Sequence, residues 1–213
     1  MAALPLFPLS VVLFPGAFLP LHVFEPRYRK LLVDVVEGGH RFLILPPGPD
    51  DGPPALGTMG TVARVRAVQP LADGHSNIVV SGEERVTLTR VLPGTTPYLL
   101  GETELLPDLG DTQVSSTGEL ARLRDLGERY AAELATLETG EREPEWSNDP
   151  AVLSFQVAAL AEWEFPAQRH FLALRSATER VTRLLAALPA LIAVAAGRAR
   201  VHQRALQNGT GHH

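Results

Sequence analysis

The stretch "LFPLSVVLFPGAFLPLHVFEPRYRKLL", residues 6–32, changes from apolar to charged sequence at Glu25. No Asp, Glu, Lys or Arg precedes Glu25, and Arg27, Arg29 and Lys30 then follow closely. A charge-free start is typical of a signal peptide, of a membrane-spanning helix, or of the first buried strands of a globular domain. The choice among these three decides the fold class.

The prolines and the missing basic residues favour buried strands. A signal peptide needs basic residues before its apolar core and small residues at a cleavage site, and neither pattern is present. Four prolines between residues 5 and 20 would interrupt a spanning helix, because each lacks an N–H group and clashes with the preceding turn. A second apolar run, residues 184–196, contains Pro189 and is predicted to be too short to cross a bilayer. We therefore expect no membrane partner and a cytoplasmic protein.

The composition and the missing motifs exclude several kinds of catalytic and metal-binding sites. The chain has 213 residues, enough for one large or two small domains, and a net charge of −5. It has no Cys, which excludes disulfides, thiol catalysis and thiolate metal sites. It lacks the phosphate-binding motif G-x-x-x-x-G-K-[ST], and its one lysine, Lys30, has no serine nearby in sequence for a Ser–Lys pair. We expect no enzyme activity, no cofactor and no bound metal.

Residues 1–110 have the pattern of a β-domain with one helix. Glu25-Pro26 resembles a helix start, and an apolar stripe at helical spacing follows from Tyr28 to Val36. Short alternating strands surround this helix, and several such strands at close spacing favour a barrel. The stretch "PPGPDDGPP", Pro46 to Pro54, is predicted to be an exposed loop.

Residues 111–213 have helical periodicity. Ser116 and Glu119 fit a capping box, and Asp149-Pro150 fits a second helix start. A third helical segment begins at Pro166, and Pro189 is predicted to kink it or to restart the helix. Helices with short links and broad apolar faces pack as a bundle. The predicted fold class is α+β, with a barrel domain over residues 1–110 and a helical bundle over residues 111–213.

A resemblance to a known family is carried by motifs along the whole chain. In order, these are FPG (residues 14–16), LPL-x-x-FEPRYR (19–29), GT-x-A-x-V (60–65), the DG turn (73–74) and G-x-x-R (82–85). The blocks "PYLLGETEL" and "AQRHFLALRSATERVTRLL" follow. Together they resemble the N-terminal substrate-binding domain of the Lon protease family. The ATPase and Ser–Lys peptidase domains of those proteases have no counterpart in this sequence, so it resembles the stand-alone Lon-domain proteins.

The resemblance implies a PUA-like β-barrel followed by helices, and a role in binding polypeptides. We expect unfolded or extended polypeptides as ligands, with a protease or chaperone as a further class of partner. The expected binding surface is a sheet edge or the cleft between barrel and bundle, including the loop from Pro46 to Pro54. The candidate peptide-binding residues are Phe14, Phe18, Arg27 and Tyr28.

Three motif residues are assigned structural roles. Glu25 is expected to accept N–H groups at the helix start, where the helix dipole also favours a carboxylate. Pro26 is expected at the first helical position, and Arg85 belongs to the G-x-x-R strand.

An RNA-binding module is the alternative from another functional class. Some PUA-like barrels bind RNA, and the C-terminal segment from residue 166 is basic. Its arginines could follow a phosphate backbone. The acidic balance of the whole chain and the lack of aromatic residues among the arginines make nucleic acid the weaker expectation. The arginines concerned are Arg169, Arg175, Arg180 and Arg183.

Overall fold

A computed structural model describes residues 3–110, 116–136 and 145–209. This part of the chain contains six strands and five helices. In chain order they are β1 (Leu4–Pro8), β2 (Phe18–Val23), α1 (Pro26–Glu37), β3 (Arg41–Leu45), β4 (Met59–Pro70), β5 (Ser76–Leu92), β6 (Leu100–Leu105), α2 (Thr117–Ala135), α3 (Pro150–Ala159), α4 (Phe165–Ala173) and α5 (Ala177–Gly209).

The strands form one mixed sheet in the order β2-β5-β4-β3-β1-β6, and β6 also pairs with β5. Strands β5, β4, β3, β1 and β6 therefore close into a ring. The 17 residues of β5 allow this, because its first part pairs with β2 and its second part pairs with β6. Strands β1 and β3 are parallel, and the other pairs are antiparallel. The predicted α+β fold with a β-barrel is confirmed.

Alternating side chains of the barrel strands enter two apolar clusters. Leu43 and Leu45 of β3 belong to one cluster, together with Leu6, and the intervening Phe42 and Ile44 belong to the other. The second cluster also receives the apolar face of α1, which is buried at Tyr28, Leu31, Leu32 and Val35. Both faces of β3 are thus buried, which explains its unbroken apolar sequence.

Two of the family motifs meet at Gly82 on β5. The N–H of Gly16 donates to the carbonyl of Gly82, and the N–H of Gly82 donates to the carbonyl of Ala17, both at 2.9 Å. A Cβ atom on Gly82 would lie 2.2 Å from the carbonyl oxygen of Phe14. The FPG turn crosses so close to the strand that only glycine fits there.

Arg85, three residues after Gly82, anchors helix α4 to the barrel. Its side chain is buried and donates to the carbonyls of Leu172 and Leu174 at 2.6 and 2.8 Å, and it is paired with Asp108. Close by, the ring of Phe14 meets the ring of Phe171 edge to face at 6.0 Å. The structural role expected for Arg85 thus consists of holding the end of α4 against the barrel.

The chain divides into two compact units, and this division differs from the predicted one. The first unit comprises Met1–Leu109 and Trp163–Arg175, and the second comprises Gly110–Glu162 and Ser176–His213. Sequence periodicity placed residues 163–175 in the bundle. The structure ends α4 at Ala173 and makes Leu174 extended, and its carbonyl then bonds to Arg85. A short helix packed on strands has the same apolar pattern as one packed on helices.

In the second unit, α2 and α3 pack on α5 and on each other. The capping box at the start of α2 is present: Ser116 accepts from the N–H of Glu119, and the Glu119 carboxylate accepts from the N–H of Ser116. The side chain of Asp149 caps α3. The sequence pattern predicts that α2 continues to Gly140, which lies outside the described residues.

Helix α5 continues through Pro189, so the helix does not restart there. Pro189 is exposed, so water can hydrogen-bond the carbonyl four residues earlier, which lacks its usual donor. Residues 177–202 are consequently long and apolar enough, by length and composition, to cross a membrane, the one such helix in the described part of the chain. The argument that this run is too short was therefore wrong. Core helices of soluble proteins pass the same test.

Replacing Arg85 with Met tests the anchor. The variant keeps an apolar stem but withdraws a buried donor from Asp108 and from two carbonyls of the α4 segment. We expect the free energy of unfolding, measured by urea denaturation, to fall by about 3–5 kcal/mol.

The matched control is Arg90→Met on the same strand. The side chain of Arg90 is 63% exposed and pairs with Glu102, so its loss should cost less than about 1 kcal/mol. Equal losses in the two variants would contradict the anchoring role.

Candidate functional site

The start of α1 borders a depression in the barrel surface, called here the Tyr28 groove. Its volume is about 610 Å³. Four segments surround it: the end of β1, the start of α1, the proline-rich loop and the loop before β6. The groove is lined by Leu6, Pro8, Leu9, Ser10, Glu25, Arg27, Tyr28, Pro47, Asp51, Gly52, Pro53, Pro97, Tyr98 and Leu99.

The first turn of α1 is fixed by its backbone. Pro26 stands at the first helical position, as expected, and the carbonyl of Glu25 accepts from the N–H groups of Tyr28 and Arg29. The Glu25 carboxylate does not cap the helix, contrary to the prediction. It accepts instead from Nε of Arg27 at 2.8 Å, because Arg27 is an exposed cation two residues away. Both members of this pair line the groove.

Tyr28 lies between an aromatic ring and a guanidinium group. Its ring stacks on Phe7 with the ring centroids 4.1 Å apart, and the guanidinium carbon of Arg27 is 4.6 Å from the centre of the Tyr28 ring. Burial raises the pKa of the Tyr28 phenol, and the positive charge of Arg27 opposes this shift. The Arg27 guanidinium thus makes a cation–π contact with the Tyr28 ring at the surface of the groove.

The proline-rich loop is a closed turn. The N–H of Gly48 donates to the carbonyl of Gly52 at 3.0 Å, and Gly52 donates to the carbonyl of Pro49. Asp50 and Asp51 both have positive φ angles, 53° and 55°, a conformation in which non-glycine residues are uncommon. The loop was predicted to be exposed, but its end residues Pro46 and Pro54 are buried. Asp51 and Pro53 are therefore presented to the groove by a constrained turn.

The segment before β6 forms the opposite wall. The carbonyl of Leu99 accepts from the N–H of Leu6 at 2.8 Å, and the hydroxyl of Tyr98 donates to the Asp34 carboxylate at 2.8 Å. Burial, followed by this hydrogen bond, raises the pKa of Tyr98 to about 12. Hydrogen bonds from Lys30 and then from Tyr98 hold the pKa of Asp34 below its usual value. The contact ties the β6 side of the groove to α1.

Comparison with protein families decides which family this is. The model of the substrate-binding domain of ATP-dependent protease La (LON) matches residues 3–189. The chain belongs to this family.

Relatives of known name are Lon proteases. Lon protease 1 of Thermus thermophilus is 26% identical over 87% of this chain, and the Lon protease of Phenylobacterium zucineum is 24% identical over 94%. The Lon protease of Roseiflexus castenholzii is 35% identical over 45% of this chain. The chain spans 24%, 26% and 12% of the lengths of these three proteins. The similarity thus concerns the substrate-binding part of the proteases.

Solved structures agree on the fold. A Lon N-terminal domain protein from Xanthomonas campestris has a TM-score of 0.64 and 24% identity, and covers 87% of this chain and 98% of its own. The N-terminal domain of a Lon protease from the Mycobacterium avium complex has a TM-score of 0.62 and 19% identity, with 88% and 98% covered. At these identities the likeness concerns the fold alone.

Within this LON domain the predicted peptide-binding residues do not form one site. Arg27 and Tyr28 line the Tyr28 groove, whereas Phe14 is 2% exposed and packs on Phe171. Phe18 is 63% exposed at the start of β2. Phe14, Phe18 and Tyr28 all lie in apolar stretches, so the sequence does not show which of these aromatic side chains reaches the groove.

Strand β2 is a poor template for a further strand. Among the described residues it pairs with β5 alone, so its other side is a sheet edge. Pro20, in the middle of β2, offers no N–H group to an added strand. The edge at β2 therefore offers little support for the expected binding at a sheet edge.

Sequence reasoning missed the wall formed by Pro97, Tyr98 and Leu99. These residues belong to the motif "PYLLGETEL", which carried the resemblance but was read only as a strand. The available signal was Tyr98, an aromatic residue flanked by proline and leucine. Its position beside α1 depends on the pairing of β6 with β1, which local sequence does not encode.

The arginines of the RNA alternative do not form an exposed basic track. Arg180 is fully buried, bonds to the hydroxyl of Ser154 at 2.9 Å and lies over the ring of Phe155 at 4.0 Å. Arg183 pairs with Glu179, and Arg175 donates to the carbonyl of Pro107. The role predicted for Arg180 in binding phosphates was wrong, because helical periodicity alone does not show which face of α5 is buried.

The Tyr98–Asp34 contact predicts a pH dependence of stability. The folded protein keeps the Tyr98 proton up to about pH 12, whereas the unfolded chain loses it near 10.0. Unfolding therefore releases a proton between these values, so the stabilisation is complete below about pH 10 and is lost as the pH rises toward 12. The urea midpoint should fall across this range.

Tyr98→Phe removes the titrating hydroxyl and should make this decline shallower. An unchanged slope in the variant would show that other groups cause the loss of stability.

Proposed function

We propose that this chain binds extended polypeptide segments in the Tyr28 groove and does not convert them chemically. The observation that carries the proposal is the convergence of the FEPRYR block, the proline-rich loop and the Tyr98 wall on one groove. Its lining is mostly proline, leucine and tyrosine, with Glu25, Arg27 and Asp51 as charged groups. This composition suits apolar side chains of a flexible ligand and leaves polar groups for its backbone.

The fixed walls of the groove support binding of a disordered ligand. A disordered segment loses conformational entropy when it is ordered on a surface, so a preformed site avoids a second cost of that kind. Here the turn at Gly48–Gly52, the bond between Leu6 and Leu99, and the bond between Tyr98 and Asp34 hold the walls. These contacts fix the walls of the groove in the absence of a ligand.

The absence of catalysis rests on the sequence and on the extent of the family match. The matching model is that of the substrate-binding domain, and the chain lacks the phosphate-binding loop and a serine near Lys30 in sequence. A protease or chaperone that receives the bound polypeptide is a further expected partner. The predicted cleft between barrel and bundle stays a prediction.

Binding can be measured with a permanently unfolded protein, reduced and carboxymethylated lactalbumin, labelled for fluorescence anisotropy. We expect saturable binding in the micromolar range that changes little between 50 and 200 mM NaCl, because apolar contacts dominate. An RNA-type electrostatic interface with six or more phosphate contacts would lose about a thousandfold in affinity over this range. No binding of the unfolded probe at micromolar concentrations would refute the proposed function.

The groove itself is tested by Ser10→Trp. Ser10 is exposed and lines the groove, so an indole there should occupy ligand space and weaken binding of the probe about tenfold, a change of about 1.4 kcal/mol. The control is Ala72→Trp in the exposed turn between β4 and β5, which lies outside the groove lining. Equal affinities for both variants would place the binding surface elsewhere.

A further inference from the structure

A second cavity lies in the first unit, between α4 and the barrel. Its volume is about 300 Å³, and it shares no lining residue with the Tyr28 groove. Helix α4 contributes Pro166, Arg169, His170 and Ala173, which recur at the spacing of one helix face. The barrel side is largely apolar and includes Val12, Leu13, Ile44, Leu45 and Met59. This space is called here the α4 cavity.

The α4 cavity has a cation at its border without an acidic partner. Arg169 is exposed, and its guanidinium carbon is 5.9 Å from the centre of the Phe165 ring. No carboxylate lies within 4.0 Å of it in the described part of the chain. Arg169 is available for a negative group of a ligand.

Thr61 supplies a second unused polar group in the lining. The residue is 1% exposed, and its Oγ1 is buried with no hydrogen-bond partner among the described residues. Buried hydroxyl groups are nearly always hydrogen-bonded, so an orphan of this kind points to a missing acceptor or donor. The Thr61 hydroxyl and the Arg169 guanidinium thus line one small apolar cavity, and both can donate hydrogen bonds to an acceptor group of a ligand.

From this combination we infer that the α4 cavity binds the C-terminal residue of a polypeptide, with an apolar side chain inside and the carboxylate on Arg169. The cavity volume is at the lower end of ligand sites, about 300–1,000 Å³, and fits one residue better than a long segment. A guanidinium group matches a carboxylate because it can donate two parallel hydrogen bonds. Internal segments of a chain carry no such backbone charge. The α4 cavity therefore recognises chain ends, whereas the Tyr28 groove accepts segments of any position.

The test compares two labelled hexapeptides of sequence Gly-Ser-Gly-Ser-Ala-Leu, one with a free C-terminal carboxylate and one with a C-terminal amide, on the full chain. Hydrogen bonds to charged groups are the stronger ones, so the free acid should bind about tenfold more tightly than the amide. Arg169→Gln should abolish this difference. The matched control Arg122→Gln, which changes the same charge on the exposed face of α2, should keep it.

A filling variant separates this site from the groove. Ala173→Phe should weaken binding of the acid peptide, because the larger side chain occupies the cavity, while Ser10→Trp should leave that binding unchanged. Loss with Ser10→Trp alone would assign the peptide to the Tyr28 groove and overturn the inference without affecting the proposed function. Equal binding of acid and amide peptides, or an acid preference that survives Arg169→Gln, would also overturn it. If 4-methylpentanoate, a carboxylate with a branched apolar chain but no peptide group, bound as tightly as the acid peptide, the site would be one for small carboxylates and the assignment to polypeptide ends would be wrong.

Discussion

The buried guanidinium of Arg85 is the interaction on which the first unit depends. It joins β5 to Asp108, at the end of the barrel, and to two carbonyls of the α4 segment, which is more than 80 residues away in sequence. Carbonyl groups at a helix end need donors, and a buried arginine needs several acceptors. The Arg85 guanidinium supplies donors to these carbonyls, and the carbonyls and Asp108 supply its acceptors. The contact therefore depends on hydrogen-bond geometry as well as on opposite charge.

The surroundings of Arg85 explain why the FPG and G-x-x-R motifs occur in one sequence. Gly82 lets the FPG turn cross the strand at close range, and this crossing places Phe14 beside Phe171 of α4. Two of the motifs that carry the family resemblance, FPG and G-x-x-R, thus help to attach α4 to the barrel. They identify the fold more directly than they identify a ligand.

The FEPRYR block has a mixed role. Pro26 and the carbonyl of Glu25 start the helix, and the ring of Tyr28 stacks on Phe7 in the core. Arg27 is the part that remains at the surface, held by Glu25 and lying over Tyr28. The same six residues therefore build a helix start and one side of a groove. A ligand in the groove would meet a surface whose shape is fixed by core packing, which favours selectivity for extended chains over selectivity for one sequence.

The sequence by itself determined the α+β class, the barrel with one helix, the capping box at Ser116 and the start of α1, because these depend on local periodicity, on proline geometry and on contacts within a few residues. Through the family resemblance it also suggested Arg27, Tyr28 and the proline-rich loop as candidates for a binding surface, and this assignment stays a proposal. Only the tertiary structure decided that Phe14 is buried while Phe18 is exposed, that α4 packs with the barrel, and that Arg180 faces the interior. Burial of a side chain depends on which distant element covers it, and strand order, not local sequence, sets that neighbour. The Tyr98 wall and the α4 cavity arise from such pairings, so neither could be predicted from the residues that form them.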